Sequence, residues 1–284
     1  MDITAVGATV GPVEETWSTA DCLLYAVGIG AGAADPLTEL AFTTENAAGR
    51  PPLAFPTYAV VVAARLREIY QALGPIDWTK VVHGDQSVEL FRPLATDGHV
   101  LLTTHIAGIY DKGSGAFVQL EATAIDAIDR KPVFTSRAGL FIRGAGGWGG
   151  DRGPTADLWA PEGEPAYQWR ERTNPNQALI YRLSGDRNPL HSDPAVANAA
   201  RFPRPILHGL CTFGFAGRGL LASVCNGDPA RFRCMSARFS NPVFPGDSLI
   251  TSMWLTDSDH VLFQTKLENG TVVLDHGRFS SNSL

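Results

Sequence analysis

The feature that most constrains the fold of this 284-residue chain is an internal repetition with an offset of roughly 150 residues. Near the start, Ser18/Thr19 give an N-cap signal for a short helix over Asp21–Gly28, and its counterpart is Gln177–Ser184. Phe55-Pro56 then leads into an apolar segment, Tyr58–Leu73, that predicts a helix stopped by Gly74-Pro75. The counterpart is Phe202-Pro203, followed by a predicted helix from about His208 to Val224. Strand patterns close each half: Ser87–Arg92, Val100–Tyr110, Ala116–Asp126 and Val133–Ile142, then Arg231–Phe239, Ser248–Thr256, His260–Leu267 and Thr271–Phe279. The alternation in Leu249–Trp254 and the Asn269-Gly270 turn specify antiparallel pairing with short connections. Leu210–Val224 is apolar on more than one face, so it must be wrapped, and a curved antiparallel sheet does this. The expectation is an α+β chain of two repeats, 1–143 and 177–284, each with an antiparallel sheet around a long central helix. The Gly-, Pro- and Trp-rich segment 144–176 reads as the linker between them.

Charge and cysteine content narrow the function. A formal net charge of -6 argues against nucleic acid as a partner. The apolar runs, such as Tyr58–Ala64, are far too short to span a bilayer, and no basic segment followed by an apolar core marks a signal peptide. The ending Asn282-Ser283-Leu284 lacks the basic residue of a peroxisomal Ser-Lys-Leu signal. Cys22, Cys211, Cys225 and Cys234 show no CxxC pairing, which disfavours a zinc site or disulfide framework and fits a reducing, cytoplasmic setting. Between Arg201 and Arg238 lie six arginines and one acid, Asp228. This suits a small polyanionic ligand, although a solvated basic face gives the same pattern.

The chemistry concentrates in Tyr181–Ala197, YRLSGDRNPLHSDPAVA. Asp186, Asn188 and His191 fall within six residues, with Gly185 and Pro189 restricting the backbone. Such a run cannot be a regular helix or a central strand, so it reads as a rigid loop delivering three side chains to one place. Asp186 and His191 suit general acid–base work on a shared water. His208-Gly209 opens the next helix, where an unpaired backbone N–H with partial positive charge can polarise a carbonyl. Together they equip a site to add or remove water β to a carbonyl. In the first half, Thr38 stands where His191 does and Ala33 near Asp186, which predicts one site per chain. Three other readings compete. Asp186, His191 and His208 can ligate a metal, but no His-x-x-x-His or thiolate accompanies them. Ser184 with His191 and Asp186 suggests a serine hydrolase, but the Gly-x-Ser-x-Gly elbow is absent. Asp186 as a turn cap and His191 as a satisfied buried histidine is the structural alternative.

Tyr181–His191 followed by Ala197 resembles the hydratase-2 motif of the MaoC-like enoyl-CoA hydratases at every specified position. The similarity to double-hotdog members runs from about Thr16 to Phe279 and takes in His83-Gly84, Asp111-Lys112-Gly113, Gly147–Gly150 and Arg238-Phe239 through Asp247. The resemblance implies a hotdog fold in each half and hydration of trans-2-enoyl-CoA to (R)-3-hydroxyacyl-CoA. It assigns Asp186 and His191 as the catalytic pair, Asn188 as their support and the Gly209 N–H as oxyanion donor. Tyr181, His208, Arg204 and Arg218 become expected substrate contacts. The degenerate first half would lodge a longer acyl chain. No cofactor is implied beyond the CoA of the substrate, and no metal; relatives pair as homodimers. Ser114 departs from the family, where a Lys is frequent, and this bears on phosphate contacts. The rivals are an (R)-3-hydroxyacyl dehydratase acting on carrier-protein thioesters, a hotdog thioesterase, and a non-catalytic acyl-thioester-binding subunit.

Overall fold

The computed structural model describes residues 1–154, 159–257 and 259–282, so residues 283–284 of the C-terminal ending lie outside the described residues. Ten strands are described: β1 (Thr9–Trp17), β2 (Val81–Leu90), β3 (Gly98–Asp111), β4 (Gly115–Asp126), β5 (Pro132–Arg143), β6 (Tyr167–Arg172), β7 (Phe232–Phe239), β8 (Ser248–Leu255), β9 (His260–Leu267) and β10 (Val272–Ser281). The helices are α1 (Thr19–Gly28), α2 (Leu40–Thr43), α3 (Tyr58–Ala63), α4 (Gln177–Tyr181), α5 (Pro194–Ala199) and α6 (Gly209–Cys225). All ten strands form one sheet in the order β1-β3-β4-β5-β2-β7-β10-β9-β8-β6. Read outward from the centre, each half has the same connectivity, which is the signature of a duplicated unit. The halves join where β2 pairs antiparallel with β7, from Asp85 opposite Arg238 to Glu89 opposite Cys234. This is the α+β double hotdog arrangement.

Two strands escaped the sequence reading. β1 contains Gly11-Pro12 and is mostly exposed, and β6, YQWRER, is short and charged. Neither alternates cleanly, because both are edge strands, where proline and charge discourage further pairing. β6 falls inside the 144–176 segment expected as linker and pairs with β8.

The central helices differ. α6 runs 17 residues and is buried on most sides, with Phe213, Phe215, Leu220 and Leu221 in the core. Each such side chain contributes roughly 1.5–3 kcal/mol of burial free energy. Gly214 is needed because a Cβ there would collide with Ile29 and the Tyr25 hydroxyl, so it lets the end of α1 cross α6 closely. In the first half, the expected helix over Tyr58–Leu73 is not continuous. α3 stops after six residues, Leu66 leaves helical geometry (φ -77°, ψ 72°), and a 3-10 segment, Arg67–Leu73, ends at Gly74 (φ 66°). The physical reasons are local. Val60-Val61-Val62 is a β-branched run of low helix propensity. Thr57 also makes no capping bond: its Oγ1 instead accepts from the Tyr25 hydroxyl at 2.9 Å.

Arg218 corrects a second expectation. It does not contact a substrate site: its side chain is 3% exposed and holds the two halves together. Its Nε and Nη2 donate to Glu39 at 2.9 Å each, Nη2 also donates to Glu171 at 3.0 Å, and Nη1 donates to Ile29 O at 3.1 Å. Glu39 adopts a left-handed φ of 55°, a cost that this pairing offsets. Removing one partner of a buried ion pair strands the others without compensation, so Arg218→Leu is expected to lower stability by about 3–5 kcal/mol. Urea unfolding checks this, and a loss below about 1 kcal/mol would show that the clamp contributes little.

Candidate active site

α4 continues into a 3-10 turn, Arg182–Ser184, and the chain then reverses at Gly185. Its φ of 134° is a conformation open to glycine, which explains the residue between Ser184 and Asp186. Asp186 Oδ1 accepts the Asn188 N–H at 3.2 Å, and Asn188 Oδ1 accepts the Leu190 N–H at 3.0 Å. Asn188 thereby caps the short turn Pro189–His191, with Pro189 at its first position. Its support of the pair is through the backbone that carries His191.

His191 is 8% exposed, and its Nδ1 lies 2.9 Å from Ile206 O. A carbonyl oxygen only accepts, so Nδ1 bears the proton and Nε2 presents a lone pair. The same logic applied to His208 puts its proton on Nε2, 3.1 Å from the backbone oxygen of Asp186. The two imidazoles stack with centroids 3.8 Å apart and planes 30° apart. Potential ligand atoms of Asp186, His191 and His208 all lie within 4.8 Å of one another. The fold therefore brings these three side chains to one place. Stacked rings point their in-plane lone pairs side by side rather than at a common point, which disfavours both imidazoles ligating one metal ion.

Burial is the leading influence on all three histidines near the site. It holds His191 below the ordinary histidine range against the opposing pull of the Ile206 hydrogen bond and the Asp186 charge. It takes His208 down to about 3, helped by the adjacent His191. It takes His83 down to about 4. All three are neutral at pH 7.

α6 begins beside this pair. Cys211 and Thr212 make the first hydrogen bonds back to His208 O, and among the described residues no protein acceptor meets the Gly209 N–H. A Cβ on Gly209 would press on the Phe239 ring at 3.2 Å, so glycine keeps this helix end open. Phe239 in turn packs on His83 of β2, centroids 4.8 Å apart.

A cavity of about 330 Å³ opens at Tyr181, Ser184, Gly185 and Asp186 and extends into the first half. One wall is the interrupted helical segment around Val61 and Leu66, and the other is the inner face of β2–β5. The broken helix of the first repeat leaves the room that an intact one would fill.

Of the sequence-predicted residues, the fold gathers Asp186, Asn188, His191, His208, Gly209 and Tyr181. Tyr181 lines the cavity with its hydroxyl buried and, among the described residues, unpartnered. Two expected substrate contacts are not gathered. Arg218 is the buried clamp described above. Arg204 is exposed, with its guanidinium 4.9 Å above the Phe244 ring and outside the cavity lining. Two residues were missed. Arg67 brings its Nη2 to 3.7 Å from Asp186 Oδ1, and nothing in an apolar helical pattern marks it. His83 lines the cavity with Nε2 buried and, among the described residues, unpartnered; the His83-Gly84 dipeptide was its only signal.

Comparison with known proteins identifies the family. Residues 16–144 match the MFE-2 hydratase 2 N-terminal domain and residues 158–277 the MaoC like domain. The chain is 42% identical to 3-hydroxyacyl-thioester dehydratase Y of Mycobacterium tuberculosis, covering 98% of this chain and 97% of that protein. It is 38% identical to the peroxisomal enoyl-CoA hydratase 2 of Arabidopsis thaliana, covering 91% and 88%. A crystal structure of a MaoC-like dehydratase from Phytophthora capsici superposes with a TM-score of 0.89 at 34% identity, covering 100% and 98%. A degenerate first repeat and a motif-bearing second one, matched end to end by such relatives, place the chain in the MaoC-like family, among its hydratase 2 members.

Proposed function

We propose that the protein is an (R)-specific trans-2-enoyl-CoA hydratase, adding water reversibly to give (R)-3-hydroxyacyl-CoA. The observation that carries this reading is the convergence of Asp186, His191 and His208 at the start of α6, with Asp186 lining the cavity and His191 Nδ1 engaged by Ile206 O so that Nε2 is left to accept a proton. The thioester oxygen sits at the Gly209 N–H, which draws electron density from C3. A water oriented by the Asp186 carboxylate gives a proton to His191 Nε2 as its oxygen bonds to C3. The enolate formed at C2 and the thioester oxygen is held at the helix end, a contribution of about 3 kcal/mol to the barrier. Return of the proton from His191 to C2 completes the addition from one face and restores the neutral imidazole. Ile206 O keeps His191 in its tautomer, Asn188 holds the turn that carries it, and His208 fixes Asp186 through its backbone oxygen. The acyl tail lies in the cavity of the first half.

Several finer assignments belong to the same proposal. The reverse dehydration on a carrier-protein thioester uses the same groups, and relative rates on the two thioesters decide between them. Exposed Arg67, beside Asp186, is the proposed phosphate partner. The acid–base chemistry calls for no cofactor. Pairing of two chains as a homodimer and a cytoplasmic location complete the proposal. The four free cysteines support a reducing location, and among the described residues no helix is long and apolar enough to cross a membrane.

Hydration is followed as loss of the enoyl-thioester absorbance with crotonyl-CoA and a longer trans-2-enoyl-CoA, with chiral analysis of the product. Asp186→Asn and His191→Gln are each expected to reduce kcat at least ~10²-fold while the circular dichroism spectrum is kept. Wild-type rates in either would refute the assignment. A second expectation concerns pH. Neutral His191 is the proton acceptor, and burial favours its neutral form, so activity should persist as pH falls through the ordinary histidine value of about 6.5. The acid limb of kcat/KM should lie below that value; a limb at or above it would contradict a buried, neutral His191.

A further inference from the structure

The cavity is not uniformly apolar. Thr104, Ser136 and Gln86 line it, and they are 4%, 4% and 3% exposed. Strand register puts them together: Thr104 of β3 stands opposite Ala122 of β4, Ala122 opposite Ser136 of β5, and Gln86 of β2 opposite Ala138, two residues further along β5. Thr104 and Ser136 thus flank one alanine on the inner face, and the small side chains of Ala122 and Ala138 leave open space beside them. Gln86 and Ser136 satisfy each other: Gln86 Nε2 donates to Ser136 Oγ at 2.7 Å and to Ser87 O at 2.9 Å, and Ser136 Oγ donates to Ser87 O at 3.2 Å. Among the described residues the Thr104 hydroxyl has no partner.

A tunnel for plain hydrocarbon gains nothing from this arrangement. A buried hydroxyl without a hydrogen bond is a standing cost, and a methylene chain laid against it cannot relieve that cost. Valine would have the same shape without the penalty. The strip runs inward from the site. The Gln86 side chain bonds His83 at the near end, and Thr104 lies three strands further across the sheet, roughly 14 Å at the usual strand spacing. No group reacting at C2 or C3 needs the Thr104 hydroxyl.

The geometry points to an acyl tail that carries an oxygen, as hydroxyl or ketone, positioned to hydrogen-bond Thr104 Oγ1 beside the Gln86–Ser136 pair. This inference rests on the hydratase reading and specifies its substrate class: enoyl-CoA thioesters with an oxygenated tail. The Thr104 hydroxyl can donate to a ketone or exchange hydrogen bonds with an alcohol. A site that must pair its own buried polar group discriminates against the analogue lacking the oxygen.

The test compares trans-2-enoyl-CoA substrates of equal length, one with a plain hydrocarbon tail and the others with a hydroxyl or keto group at successive distal carbons. Wild-type enzyme should show kcat/KM at least ~10-fold higher for one oxygen position than for the plain tail. Thr104→Val should bring that ratio close to one, and Thr104→Ser, which keeps the hydroxyl, should retain the preference. The ratio is taken within one preparation, so partial misfolding of a variant does not alter it. A wild-type enzyme that hydrates the plain tail as well as every oxygenated one would overturn the inference and leave the hydratase reading standing. So would a preference that Thr104→Val leaves intact, as when only an ordered water occupies the strip. Failure to hydrate any of the substrates would sink the hydratase reading, and the inference with it.

Discussion

The pairing of β2 with β7 is the contact on which the rest depends. Apart, each half would present a raw sheet edge with unsatisfied backbone groups; together they make one continuous ten-stranded sheet. Arg233 of β7 reinforces the seam, donating to Leu90 O at 2.7 Å and to Glu89 at 2.8 Å. The functional consequence lies at the other end of the same two strands, where His83 of β2 rests on Phe239 of β7 and Phe239 closes against Gly209. A cavity formed in one repeat therefore opens onto the acid–base pair of the other. The Glu39–Arg218–Glu171 cluster fixes the same relation from the helix side.

The two repeats have diverged in complementary ways. The second keeps a 17-residue helix whose amino end is positioned against Asp186 and His191. The first has the same strand order, but a valine run and a break at Leu66 shorten its helix to six residues. Loss of a helix normally leaves a void that costs stability. Here the void is lined by ordered side chains and faces the reacting groups, so a stability cost in one half becomes binding space for the other.

Much of this was legible in the sequence, because the signals were local. The N-cap Ser18, the Asn269-Gly270 turn and the alternating strands each depend on a few neighbouring residues, and they fell close to their expected places. The loop from Asp186 to His191 was legible for the same reason: its hydrogen bonds run two residues at a time. What was not legible is long-range. Arg218 looks like a free cation until Glu39 and Glu171, 179 and 47 residues away, are seen beside it. Arg67 sits inside an apolar helical pattern, yet approaches Asp186 because that helix breaks. The edge strands β1 and β6 lack the alternation that burial on one face imposes, so periodicity could not find them.

The central claim is a division of labour, with chemistry from the second repeat and tail binding by the first. The most direct measurement is the ratio of kcat/KM for a long-chain trans-2-enoyl-CoA to that for crotonyl-CoA, in wild type and in Ala138→Leu, which puts a larger side chain into the cavity wall. The account predicts that the ratio falls at least ~10²-fold in the variant, because only the long tail needs that space. An unchanged ratio would mean that the tail lies elsewhere and would contradict the account.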